Sequence, residues 1–138
     1  MKTAFLAQLQ ARPGLSGVQV TYGWPSGGAD GVPHKELIAL GGVRMQQVAK
    51  SLGNLRREDR YTLTVIVDVV QMTKNQSACS TRAAALQAEI ENQLRTDPLV
   101  NNCGILWAEF MGAEAQDLYD GVSRECRITC SVQCVARI

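Results

Sequence analysis

The chain of 138 residues has little of what usually marks an enzyme or a ligand-binding protein. It holds a single histidine, His34, beside Pro33, with no cysteine or second histidine at ligand spacing. A surface or capping histidine is expected there, rather than a catalytic or metal-binding one. An excess of one charge is also missing: 14 basic against 13 acidic residues leave a net charge of +1. Dedicated nucleic-acid binders carry a basic excess, so that class is disfavoured. No run approaches the ~20 apolar residues of a membrane span. Met1 to Leu6 is followed at once by Gln8, Gln10 and Arg12, so no signal-peptide core forms. Those absences predict a soluble protein that matures in a reducing cytosol. Gly27-Gly28 and Gly41-Gly42 lack the lysine and following helix of a phosphate loop and read as turn glycines. No internal repeat, domain linker or low-complexity tract interrupts the chain, and no cofactor is implied.

What is present is ordinary globular composition, 46% apolar and 20% charged, enough for a single domain with a real core over residues 1–138. The most regular stretch is the last, Val122 to Ile138. From Cys126 on, the even positions are Cys126, Ile128, Cys130, Val132, Cys134, Ala136 and Ile138, all apolar. The odd positions, Glu125 to Arg137, are polar except for Val135. Side chains alternate across a strand, so this is a β-strand with one buried and one wetter face. Unbroken, it would run on the order of 50 Å at ~3.3 Å per residue, whereas a domain of this length has a radius of gyration of roughly 14 Å. Such a strand must bend, bulge or project beyond its own core, and a projecting strand usually meets another subunit.

The remaining elements follow from spacing and punctuation. Thr3 to Arg12 predicts a short helix, with Thr3 as cap and Phe5, Leu6 and Leu9 inward, ended by Pro13-Gly14. Val18 to Tyr22 predicts a strand, and Gly23 to Pro33 a glycine- and proline-rich loop. Lys35 to Arg44 predicts a strand with a bulge or turn at Gly41-Gly42. Residues 44–54 fit extended structure or a helix; the extended reading is favoured, with a turn at Ser51 to Asn54. Tyr61 to Gln71 is a second strong strand: Leu63, Val65, Val67 and Val69 share one face, while Ile66 and Val70 on the other need a cover. Ser77 to Thr96 is the main helix, with Cys79, Ala83, Leu86, Ile90 and Leu94 on one stripe, a cap at Asn75 or Ser77, and Asp97-Pro98 at its end. Ile105 to Met111 is apolar on both sides and predicts a buried or interfacial strand. Gly112 to Gly121 reads as an acidic connection to the last strand, which pairs antiparallel with Ile105 to Met111. The fold class expected is α+β: a mostly antiparallel sheet with a long helix and a short N-terminal helix packed on one face.

Cys126, Cys130 and Cys134 cannot share a metal. Residues four apart on a strand are ~13 Å apart, against zinc–sulfur bonds of about 2.3 Å and disulfide α-carbons within ~7 Å. They read as small core residues, as does Cys79, which leaves Cys103 as the candidate exposed thiol. Asp68, mid-strand on a partly apolar face, is expected to pair with an arginine. Trp107 reads as core, and Trp24, in its Gly/Pro loop, as an exposed anchor. The charge cluster Arg56, Arg57, Glu58, Asp59 and Arg60 is a solvated strand end or a subunit contact.

In order, several stretches resemble the tail terminator proteins of long-tailed (siphovirus-type) bacteriophages, especially those infecting actinobacteria. They are Val18 to Pro25 (Val-Gln-Val-Thr-Tyr-Gly-Trp-Pro), Glu36 to Val43, Arg57 to Leu63, Ala88 to Pro98 and the ending Arg127 to Ile138. The resemblance covers most of the chain, and the ordered set rather than any single piece carries it. The cysteines of the last strand depart from the family pattern while keeping its apolar face. The resemblance implies a structural virion protein without enzymatic activity, made in the host cytoplasm and located at the head–tail interface. It implies a hexameric ring that caps the tail tube, stops its polymerisation and joins a head-side connector protein, with DNA passing through the lumen unread. Trp24, Pro25, Arg56, Arg57 and Glu58 are the candidate contacts with a neighbouring subunit or partner. Two other classes fit less of the pattern. One is a different head–tail connector or a tail tube ring protein; the other is a small cytosolic ferredoxin-like binding domain.

Overall fold

A computed structural model describes residues 1–24, 35–49, 57–71, 75–119, 121 and 123–137. Seven elements follow in order, with a 3-10 turn at Pro13–Leu15: α1 (Lys2–Ala11), β1 (Gln19–Tyr22), β2 (Glu36–Ala49), β3 (Arg57–Gln71), α2 (Gln76–Thr96), β4 (Trp107–Tyr119) and β5 (Arg124–Arg137). The strands form one sheet in the order β1-β2-β3-β5-β4. Only β1 runs parallel to its neighbour; the other three pairings are antiparallel. The class is the expected α+β.

Both helices cover one face of the sheet. The alternation of β5 places Cys126, Ile128, Cys130, Val132 and Cys134 in the core, beside Leu63, Val65, Val67 and Val69 of β3. The α2 stripe Cys79, Ala83, Leu86, Ile90 and Leu94 is buried throughout against them. Phe5 and Leu9 of α1 complete the layer. Each fully buried aliphatic side chain here contributes roughly 1.5–3 kcal/mol. The Asn75 side chain accepts from Ala78 N at 3.3 Å and caps α2. α1 starts one residue before Thr3; its N-cap is Met1 and no side chain caps it, so the expected Thr3 cap does not form.

Asp97 closes α2 and steers the chain onward. Its carboxylate accepts from Asn101 N and from Gln8 Nε2 of α1, each at 2.6 Å. Val100, Asn101 and Asn102 all have positive φ, a conformation that non-glycine residues rarely hold without such support. The backbone bond from Asn101 is the main reason the Asp97 carboxyl sits below its usual pKa.

Three expectations need correction. The strand read as Ile105 to Met111 runs from Trp107 to Tyr119, so the acidic connection from Gly112 is mostly strand. Of the two readings of this stretch, buried or interfacial, burial holds for Ala108 but not for Leu106, Trp107 and Met111, which are 41%, 37% and 55% exposed because β4 is the sheet's edge; Trp107 is not a core residue. Finally, the last strand, expected to bend, bulge or project beyond its own core, lies between two neighbouring strands and does not project. β3 flanks β5 from Glu58↔Arg137 to Gln71↔Arg124, and β4 pairs with its other side. β2 does bulge at Gly41-Gly42, where the register slips between Leu40 and Val43. A Cβ at Gly41 would stand 3.1 Å from Thr64 O, which is why glycine fits this close approach. Residues 44–49 are extended, as favoured; Ser51 to Asn54, His34 and Pro25 to Pro33 lie outside the described residues.

Burial pushes the core thiols up: Cys130 to about 12, Cys126 and Cys134 each to about 11. Iodoacetamide at neutral pH is therefore expected to leave Cys79, Cys126, Cys130 and Cys134 unmodified in the native protein and to reach Cys103 first. Mass spectrometry after unfolding should then find all five labelled. Leu86→Ala should cost about 2–5 kcal/mol in chemical denaturation, since it opens a cavity at the centre of the helix–sheet layer.

Candidate subunit interface

The face of the sheet turned away from the helices carries the even residues of β3, the odd residues of β5, and Leu37 and Ala39 of β2. It is not bare. Leu37, Ala39 and Val135 are buried outside the main core cluster. Ile66 and Val70, for which a cover was expected, are half-buried.

At one end of this face Arg127 organises a charged cluster. Its Nη2 lies 3.0 Å from Glu125 Oε1 and 3.7 Å from Asp68 Oδ2, so Asp68 has its expected arginine. Its guanidinium stacks over the Trp24 ring, 4.8 Å from the centroid. Asp68 is only 1% exposed. The Glu125 carboxyl also lies close to Asp68. Its interaction with Asp68, and then burial, raise the Glu125 pKa, while Arg127 opposes the shift.

The predicted contact residues do not converge. Trp24 is 46% exposed and sits at the Arg127 end. Glu58 sits ten residues along β3 from Asp68, roughly 33 Å away at strand rise. It is 7% exposed and ion-paired with Arg60 at 3.2 Å. Asp59 is 4% exposed, so for these two acids the cluster is not a solvated strand end. Arg57 opens β3 opposite Ala49. Pro25 and Arg56 lie outside the described residues.

Sequence reasoning missed the sheet's two exposed flanks. β1 ends at Tyr22, where Gly23 at φ +95 turns the chain away, so β1 covers β2 only from Leu37 to Leu40. From Gly42 to Gln47, β2 is exposed and has β3 on one side only among the described residues. Val43 and Met45, 48% and 52% exposed, point to the helix side beyond the end of the helical layer. There Val43 borders a groove of about 310 Å³ with Met1, Tyr61, Ile105 and Cys134. The opposite flank is β4, exposed from Met111 to Asp117. The alternation of Ala113 and Ala115 with Glu114 and Gln116 was the available sign that this stretch is a strand.

No group of three or more His, Cys, Asp or Glu stands at metal-holding geometry among the described residues, and no helix there is long and apolar enough to cross a membrane. What the geometry defines is a two-layer α+β domain with a long, open-edged sheet. No family model and no curated protein matches the chain. Among solved structures, a chain described as "Virion of native gene transfer agent (GTA) particle" is similar, with a TM-score of 0.65 and 17% identity over 99% of this chain and 95% of that one. At that identity the similarity shows a shared fold across nearly the whole of both chains.

The Glu125 shift sets a pH dependence. A carboxyl with a raised folded pKa adds stability that is complete below its ordinary value of 4.5 and is lost as pH rises through the folded value. Thermal melts should show the native protein losing stability, relative to Glu125→Gln, as pH rises above 4.5. Glutamine stays uncharged at every pH, so a constant difference between the two proteins would refute the shift.

Proposed function

We propose that this chain is a structural component of a phage-like virion, and specifically a tail terminator. In this reading several copies, expected to be six, close into a ring that caps the tail tube, stops its growth and presents its other face to a head-side connector. The observation that carries the proposal is the full-length fold similarity to a chain of the gene transfer agent particle, joined to the sequence resemblance already described. A sheet with two open flanks suits a protein that works by assembly. A near-neutral net charge of +1 suits a collar through which DNA slides without being gripped.

Purified protein at low micromolar concentration should sediment as one closed species, and negative-stain images should show single rings. Added to polymerising tail tube protein, it should shorten the tubes and sit at one end of each. Filaments of this chain alone would point to a tube protein instead, and a monomer at all concentrations would overturn the assembly reading.

A further inference from the structure

We propose that neighbouring copies join strand to strand, the β4 edge of one copy adding to the free edge of β2, Val43 to Gln47, in the next. The inference rests on the ring reading and names the surfaces that would close it. Its first support is position. The two flanks lie on opposite sides of the sheet, β4 at one edge of the order and β2 on the other side, where β1 covers only Leu37 to Leu40. A contact between unlike patches on opposite flanks is head-to-tail, the kind that closes rings.

Matching length is the second support. β4 is exposed from Met111 to Asp117 and β2 from Gly42 to Gln47. Each flank offers a row of backbone N–H and C=O groups without a strand neighbour among the described residues. Lysine and proline, two of the guards of an edge, are absent from both stretches, although a bulge stands at the start of each, between Leu40 and Val43 and between Phe110 and Gly112.

Chemistry on the two faces is the third. On the face away from the helices, register places Arg44 with Thr62, Gln133 and Glu109, and Glu114 with Thr129. Arg44 on one flank therefore meets a flank whose charges on that face, Glu109 and Glu114, are both negative. Toward the helices, Val43 and Met45 share the face of Ala113 and Ala115. The alanines leave room for the larger side chains, and burying all four removes exposed apolar surface from water. A second copy satisfies both faces at once.

Met45→Lys and Ala115→Lys test the joint, because both residues are exposed and neither substitution touches the core. Circular dichroism and melting should confirm that each variant folds. Sedimentation of either variant alone should show monomer in place of rings. Mixed at concentrations far above those that assemble the wild-type ring, because a lone joint lacks the gain of closure, the two should form a 1:1 heterodimer and nothing larger, since one intact β4 edge meets one intact β2 edge and the outer flanks are blocked. Rings from either single variant, or a mixture that stays monomeric, would overturn this joint while leaving the wild-type ring in place. A wild-type protein that never leaves the monomer would sink the ring reading as well.

Discussion

The antiparallel pairing of β3 with β5 is the constraint on which the molecule depends. It runs without a register slip from Glu58↔Arg137 to Gln71↔Arg124. Because strand side chains alternate, one register decides every residue's face, and a slip of one would turn the cysteines and valines outward. With the register fixed, Leu63 to Val69 and Cys126 to Cys134 form a continuous apolar floor for α2. The same register brings Asp68, Glu125 and Arg127 together on the reverse face. Core and charged cluster are two consequences of one alignment.

That charged cluster is costly to bury and gains from being closed. An isolated carboxylate as buried as Asp68 would be strongly disfavoured. Arg127 supplies a charge to both carboxyls, and Trp24 a flat surface against the guanidinium. Removing Arg127 would take the cation from the buried Asp68 carboxylate, and in such pairs that loss exceeds the net worth of the intact pair. The arrangement fixes Trp24 to the sheet where the chain leaves β1. The tryptophan that looked like a free anchor thus has one face already engaged within its own subunit.

Periodicity carried the reading where burial is one-sided. The α2 stripe and the β5 alternation each face a core on one side and water on the other, so their residues sort by position, and both were legible. Asp97-Pro98 marked the helix end because local sterics alone decide it. β4 was read too short because an edge strand exposes both faces over much of its length, which removes the contrast that periodicity needs. Glu114, Gln116 and Asp117 then look like a loop. The burial of Glu58 and Asp59 was illegible for a different reason: whether a charged strand end is solvated depends on which strands flank it, and adjacency is tertiary information. Likewise Trp24 and Glu58 were grouped as contacts by composition, and only the sheet shows that they stand at opposite ends of it.

Open edges do not by themselves drive association. In the single chain their N–H and C=O groups bond to water, so exchanging water for a neighbouring strand yields roughly 0.5–1.5 kcal/mol per bond at best. Hydrogen bonds give register and direction; apolar surface must give affinity. Val43 and Met45 on β2, and Trp107 and Met111 on β4, are large exposed apolar side chains of the two flanks. A stable pairwise contact buries about 800 Å² on each partner, more than four side chains supply, so each joint of the proposed ring would be modest alone. Closure changes that. Once the last subunit is tethered by one joint, the second forms intramolecularly at high effective concentration, and no subunit leaves without breaking two. Weak joints with a closed geometry would let misplaced subunits dissociate during assembly and still yield a durable collar, whereas the same joints in an open filament would fray from its ends.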